Sequence, residues 1–267
     1  MKLGSQHILP LVILAAATLG CNQLNDAANT SSSTTNTTTA KATPSTVEPN
    51  EDGTVPSGTG VEKEKPESGK ANVQGKAFFN DKPAAGVEVK LCSTFSQYGT
   101  GCGGKIFTAK TDDAGEYLIK GVEPGMYEAL TVRVFNTPYY VFATSGIMSA
   151  AKYDIPADKT FLAPDSNLFK NDLKVTAPKA GSKVAAENIE VKWEAYPDAA
   201  YYKMSIHADS STTAKTDLDF VGKRVDDPTF TLTKPLPAGD YNVRIDAFNA
   251  NDRKLAQTSN DFKFTVK

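Results

Sequence analysis

The sequence predicts an all-β protein: two β-sandwiches in tandem, carried behind an export signal and a disordered Ser/Thr-rich linker. Three observations predict it. From residue 71 onward, apolar side chains alternate with polar ones in short runs that stop at Gly, Pro, Asn or Asp, and no stretch longer than about ten residues keeps apolar spacing at 3, 4 and 7. That part of the chain is about 200 residues long, enough for two ordinary sandwiches. Ahead of it, Asn29 to Thr46 reads NTSSSTTNTTTAKATPST, which has almost nothing to bury.

The N-terminus has three parts. Lys2 supplies a short positive region, Ile8 to Leu19 is mostly apolar, and small residues lead to Gly20 and Cys21. The apolar stretch holds Pro10 and is only about a dozen residues, whereas a spanning helix needs roughly 20. Residues 1–20 are therefore expected to be cleaved. Leu19, Gly20 and Cys21 resemble the lipobox of bacterial lipoproteins, although Thr18 stands where that family prefers a branched aliphatic residue. The resemblance implies that Cys21 is lipidated on sulfur, becomes the new amino terminus and anchors the chain to a membrane. With about 0.8 kcal/mol per buried methylene, two or three acyl chains hold a folded domain there essentially permanently. Asn22, not Asp, follows the cysteine, so the expected location is the cell envelope outside the cytoplasm, at an outer membrane or cell surface rather than an inner membrane. A secreted protein with a cysteine near its cleavage site is the alternative.

Residues 21–70 continue with turn-prone residues through Pro49, Gly53, Pro56, Gly60, Pro66 and Gly69. Such a composition cannot bury enough apolar surface to offset its ordering entropy. A coil of roughly 50 residues spans about 40 Å on average. The run EKEKPE, Glu62 to Glu67, is balanced in sign and suggests no electrostatic binding site.

Residues 71–169 are expected to form the first sandwich. Val73, Gly75 and Ala77 alternate, then Val87, Val89 and Leu91; a DDAG turn follows Thr111, and EPGMY turns into a further strand. Three motifs occur in order: KPAAG (Lys82 to Gly86), an Asp-x-x-Gly-x-Tyr hairpin ending at Tyr117, and Pro124 to Tyr127. Together they resemble a carboxypeptidase regulatory-like domain, a small transthyretin-like sandwich. The resemblance covers Ala71 to about Leu162 and implies an accessory or presentation module.

Cys92 and Cys102 flank STFSQYGTG. In an exported chain whose third cysteine is committed to lipid, they are expected to form a disulfide worth about 3 kcal/mol in the chain-entropy model. The loop carries Phe95 and Tyr98, and NTPYYVF carries Tyr139 and Tyr140. These four aromatics are the candidate ligand contacts. They would stack on a sugar ring or dock a protein partner, unless the loop folds back onto its own sandwich. Because Tyr139 and Tyr140 alternate, one of the two should point outward.

Residues 170–267 are expected to form the second sandwich. Ile189, Val191 and Trp193 share a face, as do Tyr202, Met204 and Ile206, then Tyr241, Val243 and Ile245; Tyr201, Lys203, Ser205 and His207 face out. A Trp strand, a Tyr-bearing strand and the Leu236 to Tyr241 turn resemble a fibronectin type III or related immunoglobulin-like sandwich. That resemblance implies a core role for Trp193 and a corner role for Tyr241, its hydroxyl bonded to backbone.

Function classes narrow accordingly. Once His7 leaves with the signal, only His207 remains, too little for a triad or a His-bearing zinc site. Asp112, Asp113 and Glu116, like VDDPT, are explained as turn residues, and their spacing lacks the alternating ligands of an EF-hand. No enzyme, metal or cofactor is implied. A net charge of −2 without a basic stripe argues against nucleic acid. The expected function is a non-catalytic envelope lipoprotein presenting two sandwiches to a protein partner or in adhesion. The alternative is a glycan-binding accessory module for cell-wall or extracellular polysaccharide, marked by a coplanar exposed aromatic pair where a protein site would show a flat apolar patch.

Overall fold

Alternating side chains bury one face of each strand, and two such faces must meet. A computed structural model describes residues 48–146, 149–209, 221–259 and 262–267, in which every regular element is a strand. The export signal, Cys21 and the Asn29 to Thr46 stretch lie outside the described residues. The described residues belong to one compact unit that contains two hydrophobic cores.

In the first sandwich, Ala71–Phe79 sits at the centre of one sheet, antiparallel to Glu116–Val122 and parallel to Thr160–Leu162 and Ser166–Asn167. The facing sheet is antiparallel throughout, in the order Gly101–Lys110, Glu88–Ser96, Ala129–Arg133, Tyr140–Phe142. Val73 and Ile119 from one sheet meet Leu91 and Val132 from the other.

The three motifs earn their spacing. Asp112 Oδ1 accepts the amides of Ala114 and Glu116, which closes the hairpin turn. Gly115 follows at φ +71°, where a Cβ would sit 2.5 Å from the carbonyl oxygen of Ala77. Tyr117 then enters the core opposite Gly75, whose missing side chain makes room for the ring. At the other two turns, Thr111 Oγ1 donates to the Ala84 carbonyl and accepts the Val87 amide, and the Tyr127 hydroxyl donates to the Glu123 carbonyl.

The second sandwich has a sheet built on Tyr201–Ala208 and Gly239–Phe248, and a smaller one of Val175–Ala177, Glu190–Trp193 and Thr229–Thr231. Trp193 is buried with its ring 5.2 Å from that of Tyr202. The Tyr241 hydroxyl donates to the Pro237 carbonyl at 2.7 Å, the corner bond expected of it. Tyr201 departs from its expected outward role. It is buried on the outer face because Phe248 stacks on it, the Arg224 guanidinium lies 3.9 Å from its ring, and its hydroxyl donates to Asp252.

The linker expectation is corrected for residues 48–70, which lie along the first sandwich. Val55 is buried in the first core and its amide donates to the Lys152 carbonyl. Gly58 donates to the Leu162 carbonyl, the Lys63 amide donates to Gln74, and the Asn72 amide group donates to the Glu64 carbonyl. EKEKPE makes ion pairs within the chain. Lys63 bridges Asp112 and Glu116, and Glu64 pairs with Lys120. A segment too polar for a core of its own is ordered by backbone and charge contacts to a sheet that already exists. Composition alone does not register that template.

The two sandwiches are clasped at one corner. Asn80 and Asp81, both at positive φ, form the tip of a tight hairpin between Ala71–Phe79 and Lys82–Pro83. Asp81 accepts the side-chain amides of Asn249 and Asn251 at 2.8 and 2.6 Å and faces Arg253 Nε at 3.6 Å. Asn80 donates to Asp198 and accepts from Asn249.

Candidate functional site

The sheet containing Glu88–Ser96 turns Val89 and Leu91 inward, so Lys90 and Cys92 face out, as do Thr131, Tyr140 and Ile106 on the neighbouring strands. Past Cys92 the register shifts, and the end of the hairpin bends back over this outer face. The Cys92–Cys102 disulfide is present, with Cα atoms 5.4 Å apart. Cys102 covers Thr131, its sulfur 3.6 Å from Thr131 Oγ1, and that threonine is buried.

Phe95 is held in place by this fold-back. Its amide donates to Glu128 Oε2 at 2.8 Å, and its ring meets Phe142 edge-on, with centroids 4.9 Å apart and planes at 62°. Tyr140, 36% exposed, stands beside it under the Lys90 ammonium, which lies 5.5 Å from its ring. Lys90 also pairs with Glu88 at 2.9 Å. Each partner holds the other charged: the hydrogen bond from Lys90 lowers the Glu88 pKa, and that bond raises the Lys90 pKa. Ile106, 44% exposed, completes an apolar surface around a small cavity of about 150 Å³.

Of the four candidate aromatics, the structure therefore brings together Phe95 and Tyr140. Tyr98 is at the loop tip, 76% exposed, its hydroxyl accepting from Gln97. Tyr139 alternates to the other side and lines a separate cleft with Phe79 and Phe135. Both tyrosines are partly exposed, Tyr139 at 49% and Tyr140 at 36%. The strand Tyr140–Phe142 is an edge, and Tyr139 precedes it on a loop. Sequence reasoning missed Phe142 and Ile106 as members of this surface. The alternation of YYVF contained the signal for Phe142, which shares a face with Tyr140.

Elsewhere the titratable groups have structural work. Among the described residues, no group of three or more His, Cys, Asp or Glu is arranged to hold a metal. Glu116 is lowered in pKa by Lys63 first and Lys76 second, Asp112 by the Glu116 amide, and Tyr117 is pushed up by burial. His207 lies exposed on its strand opposite Asn242.

No protein-family model and no curated protein matches the chain. Among solved structures it is similar to β-sandwich chains at low identity. A candidate carbohydrate-binding protein of Bacteroides uniformis aligns at 14% identity and TM-score 0.26, covering 70% of this chain and 94% of that one. Fibronectin(III)-like modules of Clostridium thermocellum CbhA align at 14% and 0.26, covering 75% and 90%. The major pilin SpaD of Corynebacterium diphtheriae aligns at 13% and 0.25, covering 75% and 64%. Scores of this size carry no argument about function, and the all-β tandem architecture stands on the chain's own strands and cores.

Proposed function

We propose that the chain is a non-catalytic display lipoprotein of a bacterial cell envelope, anchored through Cys21 outside the cytoplasm, whose first sandwich docks a protein partner on its outer face. The observation that carries this reading is the cluster of Phe95, Phe142, Tyr140 and Ile106. Phe95 and Phe142 meet edge to face, Tyr140 and Ile106 line the small cavity beside Phe95, and the Lys90–Glu88 pair lies against Tyr140. A protein interface has this anatomy, an apolar centre within a polar margin. The disulfide and the Glu128 bond hold the hairpin end in one conformation, which lowers the ordering cost of docking. The turn geometry of the three motifs supports reading the first sandwich as carboxypeptidase regulatory-like and the second, with its Tyr241 corner, as fibronectin type III-like.

Two measurements test the proposal. Metabolic labelling with a fatty-acid analogue is expected to mark the wild-type chain and not Cys21→Ala. A photoreactive residue at position 106 is expected to give one discrete envelope-protein adduct in cells. The same probe at position 192, on the second sandwich, should give none, and Tyr140→Ser should suppress the adduct. If the chain instead co-sediments saturably with insoluble cell-wall polysaccharide and loses this in Tyr98→Ala or Tyr140→Ala, the outer face is a glycan site and the protein-docking reading is wrong.

A further inference from the structure

We propose that the cleft between the first sandwich and the start of the second is a binding site for a carboxylate-bearing pyranose, a hexuronate unit of an acidic polysaccharide. It goes beyond the outer-face reading and shares no lining residue with that surface.

The cleft has a volume of about 570 Å³, within the range of small-ligand sites, and lies at a junction where such sites tend to form. Phe79, Phe135 and Tyr139 supply its walls, and Lys170, Asn171 and Asp172 its polar groups. Phe79 and Phe135 meet at right angles, 5.4 Å apart, and the Lys170 ammonium lies 5.2 and 5.7 Å from their ring centres. Among the described residues, Lys170 has no carboxylate within ion-pair distance. Ring faces attract the cation but accept none of its N–H donors as an anion would.

Phe135 is the second observation. It has φ +49°, a region that a bulky L side chain rarely adopts. The turn enforces it: Phe135 donates to the Arg133 carbonyl, Thr137 Oγ1 donates to the Val134 carbonyl, and Arg133 Nε donates to the Thr137 carbonyl. Glycine or asparagine would sit there without strain. The strained phenylalanine places a ring beside Phe79 and Lys170, and strain of this kind gathers at ligand sites.

The ligand class follows from these groups. Aromatic walls suit the C–H faces of a pyranose, and Asp172, which also bonds the Tyr196 hydroxyl, has a second carboxylate oxygen for the sugar's hydroxyls. One unpaired ammonium suits a monoanion. A phosphate dianion is gripped by arginine forks or arrays of backbone amides, and Asp172 would repel it.

The test is binding of tri-galacturonate and of a glucuronate tetramer to the purified chain by calorimetry, with cellotriose and cyclohexanecarboxylate as controls. At least one acidic saccharide is expected to bind ten or more times tighter than either control, weakening with salt. Lys170→Met keeps the apolar stem and is expected to lose at least tenfold in affinity. Phe135→Gly is expected to lose affinity while its thermal midpoint stays level or rises, which a purely structural ring would not allow. Tyr140→Ser, on the other surface, is expected to bind as wild type, so this site and the protein-docking face fail separately. Failure of both acidic saccharides, equal binding of either control, or undiminished affinity in Lys170→Met would overturn the proposal.

Discussion

Removing the Cys92–Cys102 crosslink, by substituting both with alanine, should release the end of the hairpin while leaving its base in place. The two cysteines are 10 residues apart, and Cys92 is fully buried, so alanine avoids a new unpaired polar group. For a loop of that size the chain-entropy relation gives about 9 cal/mol/K, or about 2.7 kcal/mol at 25 °C. What then holds the hairpin end is the Glu128 bond to the Phe95 amide and the Phe95–Phe142 ring contact. Those are worth about 1.5 to 3 kcal/mol for a bond to a charged group and about 0.5 to 1.5 kcal/mol for an aromatic pair. Without the crosslink, opening gains loop entropy that rivals either contact. Amide hydrogen exchange reads this directly, because the Phe95 amide is a donor only while the end is folded back. At 1.4 kcal/mol per tenfold, its protection should fall by about a hundredfold. The Val87 amide, bonded to Thr111 at the base, should be unchanged. A fall of less than threefold at Phe95 would refute the claim that the disulfide holds this surface together, and equal falls at both amides would show global rather than local loosening.

Gly115→Ala meets backbone atoms of Ala77, Ala84 and Pro83 at positive φ, whereas Gly121→Ala at φ +66° meets nothing within 4 Å. Urea unfolding followed by circular dichroism should show about 1 to 2 kcal/mol lost in the second and about 2 to 5 kcal/mol in the first, since overpacking adds to the left-handed penalty. Equal losses would contradict the close approach. Glu116 has a folded-state pKa held below its ordinary value, so its contribution is fully present above the unfolded-state carboxylate range and is lost as pH falls through the depressed value. Exchange at the Lys63 amide, which is tied to Gln74, should therefore rise on acidification. Glu116→Gln should show that rise already at neutral pH. Asp81→Ala leaves the buried Asn249 amide short of one acceptor and should cost about 1 to 3 kcal/mol. Small-angle scattering of that variant should report a larger radius of gyration as the clasp loosens.

Much of this fold was legible because each strand has one buried face. Val73, Val89 and Leu91 in the first core, and Val191, Trp193, Met204 and Ile245 in the second, alternate with period 2. The strand Lys254–Thr258 was harder to see. It reads KLAQT, with Leu255 and Ala256 both buried, so the alternation fails where the register slips against Gly239–Phe248. The clasp was hidden for a different reason. Asn80, Asp81, Asn249 and Asp252 carry the signature of tight turns, and all of that signature is accounted for by local backbone geometry. Nothing in it says that two turns will exchange hydrogen bonds across the chain. Residues 48–70 were misread for a related reason: composition reports whether a segment can build a core, not whether it can be ordered on one.

The same limit applies at the candidate sites, and it separates them. Tyr139 and Tyr140 were one aromatic pair in the sequence, but the turn at Phe135 sends Tyr139 toward Lys170 while the strand sends Tyr140 toward Lys90. The lysines differ in the way that matters for binding. Lys90 is committed to Glu88, so it forms part of a neutral rim and adds little to the attraction of an anion. Lys170 has aromatic rings and, among the described residues, no carboxylate within ion-pair distance, so its charge remains available. An apolar patch with an internally paired rim favours a partner of matching shape. An aromatic cleft around an unpaired cation favours a small anion. The two tyrosines thus serve opposite chemistries, and a variant at one should leave the other surface intact.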